Sequence, residues 1–395
     1  MTNLEVNFDA AGGRTPRSKT ALVLTGGGAR AAYQVGVLAA IREMLPDRQT
    51  NPFPILCGTS AGAINAAALA TMAENFGAGV LKLLDIWRSF HASDVYRADA
   101  LGLGANGMRW LGALLGGGLV KQGPRALLDN APLRQLLTRH LDFDRIETAI
   151  NNQALHSISL TCSGYNSGQS VSFFQGRAEL SSWQRSQRFG AQVKIGVDHL
   201  MASSAIPFIF PAVKLNREYF GDGSMRQVAP VSPAIHLGAD KILVVGASRR
   251  STPESFREPG DAYPSLAQIA GHALSSIFLD SLSVDLERMQ RINHTLSLIP
   301  AEVRREQGMS LRPIEVLVIA PSERLDRIAA LHARSLPWPV RTLLGNIGAM
   351  NKHGGALTSY LLFEPPYTQA LIDLGYRDAQ ARRDEVLAFL NVSDQ

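Results

Sequence analysis

Three short runs carry residue types that could perform chemistry together. Gly58-Thr59-Ser60-Ala61-Gly62 is a G-x-S-x-G between an apolar run and an Ala-rich helical stretch. A nucleophilic serine suits that place, because flanking glycines permit a sharp, strained turn. The N-terminal dipole of the following helix also favours negative charge near the serine oxygen. Gly26-Gly27-Gly28-Ala29-Arg30 is a second turn of the same kind. Consecutive glycines expose backbone N–H groups and Arg30 adds positive charge, which suits an oxyanion hole. The same run can be read as a plain tight turn or half of a dinucleotide fingerprint. Ala31 stands where the third fingerprint glycine would fall, and no Gly-Lys-Ser/Thr follows to make a P-loop. Asp222-Gly223-Ser224 is the third run. An Asp-Gly pair is most often only a turn, but a serine at an elbow needs a base.

The elements around these runs decide whether they can meet. Ala21–Leu24 is a continuous apolar run ending in the three glycines, as a buried parallel strand would be. Arg30–Leu45 places small and apolar residues at helical spacing and stops at Pro46. Pro54–Cys57 is a second strand, and Ala61–Met72 a tight helix. Ile55–Met72 is apolar enough to resemble a membrane span, yet Thr59, Ser60 and Asn65 interrupt it and Ala and Gly dominate. Val213–Phe220 reads as a short strand leading to Asp222, while Lys241–Ala247 and Glu315–Ala320 are further apolar strands. Strands alternating with helices predict an α/β domain with a mostly parallel sheet covered on both faces. Leu266–Ile292 is expected to be a long amphipathic helix and Tyr367–Leu390 another.

With 395 residues, 46% of them apolar and 18% charged, the chain can bury a large core. The net charge of +5 comes from scattered residues, 32 Arg and 7 Lys, with no block of like charge. A nucleic-acid tail is therefore not expected, whereas mild attraction to anionic headgroups is. Two cysteines, Cys57 and Cys162, exclude a disulfide scaffold and a four-thiolate metal site. Residues 1–17 read as a polar, flexible lead and not as a signal peptide. The protein is expected to be cytoplasmic or peripheral to a membrane.

Taken in order, the glycine turn, the GTSAG elbow and the Asp-Gly turn resemble the three signature motifs of the patatin-like phospholipase family. The block Ala202–Pro211 (ASSAIPFIFP) resembles that family too. The resemblance covers roughly residues 18–300, leaving 301–395 as a mostly helical C-terminal extension packed on the same domain. It implies a three-layer α/β/α fold, a Ser–Asp dyad without a catalytic histidine, and hydrolysis of acyl esters in phospholipids or related lipids without metal or cofactor. By position Ser60 would be the nucleophile and Asp222 the base. Gly26, Gly27 and Gly28, with Arg30 beside them, would form the oxyanion hole. Gly58, Thr59, Ala61 and Gly62 would build the elbow, and Gly223 and Ser224 the turn after the base. This sequence departs from the family pattern at Ala31, usually Gly, and at Ser224, usually Gly or Ala.

Other readings stay open at this point. A conventional esterase or acyltransferase would complete a triad with a histidine such as His199 or His236. A binding or regulatory protein could keep the fold without turnover, and a nucleotide-binding protein could use Gly26–Gly28. Two segments are candidates for lipid contact. Leu101–Val120 is Gly-rich and carries Trp110 and Leu114, with Arg109 and Lys121 as cations. Arg177–Lys194 mixes Trp183 and Phe189 with Arg185 and Arg188, as a solvated loop or a headgroup contact would. The oligomeric state is open.

Overall fold

The computed structural model describes residues 19–99, 126–247, 265–309, 311–346, 348–350 and 355–392. The expected N-terminal lead and the candidate lipid-contact segment Leu101–Val120 lie outside the described residues. Among the described residues ten strands form one sheet: β1 (Thr20–Leu24), β2 (Ile55–Thr59), β3 (Ser157–Gly164), β4 (Ser170–Gly176), β5 (Trp183–Arg185), β6 (Arg188–Gln192), β7 (Val213–Leu215), β8 (Glu218–Asp222), β9 (Lys241–Val245) and β10 (Glu315–Ile319). The order is β10-β9-β1-β2-β3-β4-β6-β5, and β8 joins β3 with β7 beyond it. From β10 to β3 every pairing is parallel.

The helices used below are α1 (Ala32–Met44), α2 (Ala61–Thr71), α3 (Phe76–Ser89), α4 (Ala131–His140), α5 (Val197–Ser203), α6 (Leu266–Ser297), α7 (Leu325–His332), α8 (Gly355–Leu361), α9 (Pro365–Gln380) and α10 (Arg383–Phe389). Alternation along the strands sorts side chains to two cores. Leu22, Leu24, Leu56 and Leu243 pack among residues of α1, α2 and α9. Ala21, Val23, Ile55, Cys57, Ile242 and Val244 face Val231, Ala234 and Leu237, with Leu286 and Met289 of α6. Both faces of the sheet are covered, which is why these strands read as unbroken apolar runs. This is the three-layer α/β/α arrangement with a mostly parallel sheet.

Several expected elements are refined. The stretch Tyr367–Leu390 is two helices, α9 and α10, parted at Ala381-Arg382. The run before Asp222 is not one strand but the hairpin β7–β8. Arg177–Lys194 contains the edge hairpin β5–β6, where Trp183 stacks between Phe174 and His236 instead of facing solvent as a loop residue. Of the apolar positions on α6, Leu286 and Met289 are buried and Ile269 is exposed. Among the described residues, no helix is long and apolar enough to cross a membrane.

Candidate active site

Ser60 follows directly on the last residue of β2 and precedes α2, with φ 56° and ψ −130°. A left-handed backbone at a non-glycine residue is strained, typically by about 1–3 kcal/mol, and is common at active sites. The turn is held locally. The Ser60 amide donates to Ser203 Oγ at 2.9 Å, and that hydroxyl donates to the Thr161 carbonyl at 2.6 Å. Gly58 and Thr59 end β2, while Ala61 and Gly62 begin α2.

Strand register brings Asp222 to the same place. Thr59 is the last residue of β2 to pair with β3, opposite Thr161. The next β3 residue, Cys162, pairs with Asp222 of the antiparallel strand β8. Strand β8 therefore takes up pairing with β3 where β2 stops, and its last residue arrives at the serine turn. Gly223 and Ser224 then open a 3-10 turn. Gln227 ties this turn back to the scaffold by accepting from Thr59 Oγ1 at 3.0 Å.

The carboxyl of Asp222 is fully buried. Its Oδ1 accepts from the Ser224 amide at 2.9 Å, whereas Oδ2 is buried with no hydrogen-bond partner. Burial pushes its pKa up to about 6, with the Ser60 hydroxyl and the Ser224 amide pulling the other way. In this conformation the Ser60 hydroxyl makes no hydrogen bond to the carboxyl. Tyr165 and Cys162 flank the carboxylate and have their own pKa values raised, first by burial and then by its charge.

The glycine turn stands at the end of the neighbouring strand β1. Gly28 has φ +55° and opens a 3-10 turn, Gly28–Ala31, that leads into α1. Gly26 and Gly27 bridge β1 to it. The amides of Gly27 and Gly28 donate to no described group, while Gly28 shares a pocket with Ser60. Arg30 lies elsewhere than expected. It is buried, and its guanidinium sits 4.1 Å over the Tyr360 ring with Nε donating to Ser359 Oγ at 2.7 Å. Its charge is directed into α8 and not towards Ser60.

The pocket holding Gly28 and Ser60 is narrow, about 70 Å³, and almost wholly apolar. Its wall comes from α2, α3 and α4 with Ile206 and Phe210, including Ile64, Leu83, Trp87 and Leu137. His140 is the single ionisable side chain among the described residues that line it. The histidines singled out in the sequence are occupied elsewhere. His199 Nδ1 accepts from the Gly196 amide at 3.1 Å and its ring meets Phe173 edge-on. His236 stacks on Trp183, and burial, reinforced by nearby arginines, lowers its pKa to about 4. Neither bonds to Ser60 or Asp222.

Sequence reasoning missed a buried polar chain behind the turns. Gln34 Nε2 donates to the Thr25 carbonyl at 2.8 Å, Asn65 Nδ2 to Gln34 Oε1 at 3.0 Å, and Trp87 Nε1 to Asn65 Oδ1 at 2.8 Å. The signal was available: Gln34 and Asn65 are isolated amides in otherwise apolar helices, where an unpaired one costs free energy.

The family profile of patatin-like phospholipase matches residues 22–235, more than half of the chain. The chain belongs to the patatin-like phospholipase family. A cGAMP-activated phospholipase of Pseudomonas aeruginosa is 26% identical over 215 residues, which make up 54% of this chain and 55% of that protein. The chain thus spans about half the length of the curated relative it matches. Among solved structures, VipD from Legionella pneumophila aligns over 94% of this chain and 67% of its own at 13% identity, with a TM-score of 0.37. Human GIVD cytosolic phospholipase A2 with methyl gamma-linolenyl fluorophosphonate aligns over 95% of this chain and 59% of its own, at 11% identity and a TM-score of 0.45.

Proposed function

We propose that this patatin-like protein is a lipid acyl hydrolase of phospholipase A or lysophospholipase type, working through a Ser60–Asp222 dyad. The observation that carries the reading is a buried carboxylate oxygen without a partner, delivered by register to a strained serine at an apolar pocket. The relative of similar sequence is named a phospholipase, which agrees with the apolar wall. We place the catalytic domain at residues 18–300 and correct the reading of 301–395 as an extension: β10 continues the central sheet beside β9, and α9 packs in the main core against α1, so both stretches build one domain.

In the first step Ser60 Oγ attacks the ester carbonyl carbon and its proton passes to Asp222 Oδ2. The carbonyl oxygen becomes an oxyanion, met by the Gly27 and Gly28 amides. Collapse breaks the bond to the alcohol, which leaves with the proton from Asp222. A water then attacks the acyl-serine, giving its proton to Asp222, and the second collapse frees the acid and restores Ser60. A carboxyl near 6 is a better proton acceptor than a solvated one, since base strength follows pKa. One oxyanion donor is typically worth about 3 kcal/mol. The apolar slot takes the acyl chain, and the displaced water supplies the binding free energy.

The test is mass spectrometry of products from a mixed phospholipid set, with purified protein beside Ser60→Ala and Asp222→Ala. A serine-directed organophosphonate should label Ser60. Full turnover by Ser60→Ala would overturn the reading.

A further inference from the structure

The oxyanion turn is backed by a part of the chain that the family profile does not reach. Gly28 sits against the carbonyl of Tyr360 so closely that a methyl group there would overlap it. Two residues further on, Arg30 spends its guanidinium on the same helix. Nε donates to Ser359 Oγ at 2.7 Å, Nη1 to the Tyr360 hydroxyl at 3.3 Å and Nη2 to the Ala356 carbonyl at 3.4 Å. Ser359 in turn donates to the Ala356 carbonyl at 2.5 Å. Arg30, Ser359 and Tyr360 are all buried, so these charge-assisted bonds lie out of water, where they are strongest.

Helix α8 is itself anchored and not a loose flap. Thr358 Oγ1 donates to the Ala349 carbonyl at 3.0 Å, and the Tyr96 hydroxyl donates to the Leu361 carbonyl at 2.9 Å. Phe363, just beyond α8, lines the pocket that holds Ser60. The segment thus touches the turn at one point and the proposed acyl slot at another.

We propose that α8 is the back wall of the oxyanion turn, with Ser359 and Tyr360 as positioning residues that act through Arg30 and Gly28. The proposal rests on the reading of the Gly27 and Gly28 amides as oxyanion donors. Its physical basis is that a donor misplaced by about 1 Å can cost as much as a hundredfold in rate. A glycine run has little stiffness of its own, so its aim must come from what it leans on.

The experiment uses the full chain with a soluble short-chain ester and an organophosphonate. Rates are normalised to the fraction of protein that the phosphonate finally labels, which corrects for any loss of folded protein. Ser359→Ala should lower kcat roughly tenfold with KM unchanged, less than the hundredfold or more of a deleted oxyanion donor. The phosphonylation rate constant should fall in parallel, because that reaction also builds negative charge at the turn. Ser359→Thr, which keeps the hydroxyl, should recover most of both rates. Unchanged kcat and phosphonylation rate in Ser359→Ala would overturn the proposal, as would an effect on KM alone. Ser60→Ala is the control on the underlying reading: if it still turns over, the dyad fails, whatever Ser359 does.

Discussion

The two glycine turns stand side by side at the ends of β1 and β2, yet different parts of the chain hold them. The serine turn is braced through Ser203 at the end of α5, whose hydroxyl links the Ser60 amide to the Thr161 carbonyl of β3. The turn proposed to hold the oxyanion is braced by α8, more than three hundred residues away in sequence. A nucleophile needs one strained residue held fast, and a single helix-end hydroxyl anchored on β3 supplies that. An oxyanion turn must expose its amides on one face, so the support has to come from behind.

The largest effects should come from filling the space that these turns leave. A methyl group on Gly62 would overlap the carbonyls of Leu24 and Thr25, and one on Gly28 would overlap Tyr360. All of these obstacles are backbone, which cannot swing aside. Gly62→Ala should therefore cost roughly 1–3 kcal/mol by overpacking. Gly28→Ala adds the strain of a left-handed residue, about 1–2 kcal/mol more. Urea unfolding would rank them, and Gly28→Ala should be the less stable. An equal or reversed order would mean that the turn at Gly28 can relax and that its support is looser than the serine turn's.

Ser203→Ala should be milder in stability but should reach the chemistry. It leaves the Ser60 amide without its acceptor, and an unmet buried donor costs roughly 1–3 kcal/mol. With its brace gone the serine turn should relax from its strained backbone. kcat on a soluble ester should drop while Thr161, Asp222 and the glycine turn keep their places. A stability loss without any change in kcat would mean that β2 and α2 alone hold Ser60.

How much of this could be read from the sequence follows the same division. The three motifs were visible because each is local: a glycine or serine placed where a strand must turn into a helix. The apolar runs of β1, β2, β9 and β10 were visible because burial on both faces removes polar alternation. The brace at Arg30 was not visible, since nothing near it in sequence says that its partner is Ser359. For the same reason its charge was assigned to the oxyanion. The break between α9 and α10 carries neither Gly nor Pro, so no local signal marks it. The β7–β8 hairpin was read as one strand because its turn, Asn216-Arg217, lacks a glycine; Asn216 adopts φ 53° there instead.

Asp222 gives a sharper test, because its burial has a thermodynamic sign. Its carboxyl moves from an ordinary value of 3.8 to about 6 on folding. Below pH 3.8 it is protonated in both states and nothing is lost. As pH rises towards 6 the unfolded chain ionises first, so the native state loses stability, by up to about 3 kcal/mol above that range. Asp222→Asn should thus gain on the wild type by about that amount between pH 4 and pH 8, in urea titrations, while losing all hydrolysis. A difference that stays flat with pH would mean that the carboxyl is better solvated than its surroundings imply.

The smallest effect should come from Ser224, one of the two positions at which this sequence departs from the resemblance described above. Its amide donates to Asp222 Oδ1 at 2.9 Å, and its hydroxyl is buried without a partner in this conformation. Turned onto the carboxyl, that hydroxyl would hold the carboxyl's pKa down against burial. The proposed dyad needs Asp222 ionised, so kcat/KM should rise with pH through about 6 and set the acid limb of the profile. Ser224→Gly keeps the amide and removes the hydroxymethyl side chain with its hydroxyl, so the acid limb should move to higher pH. The shift should be roughly half a pH unit, the low end of what one neutral hydrogen bond is worth. The group facing Asp222 from β3 is the Cys162 thiol, and Tyr165 follows that strand. Both are neutral near pH 6, their pKa values being raised, so neither should confuse the profile. A limb that stays in place would assign the carboxyl's ionisation to the amide and Ser60 alone. A limb that moves to lower pH would mean that the glycine lets water reach Asp222, which makes Ser224 a plug and not a donor.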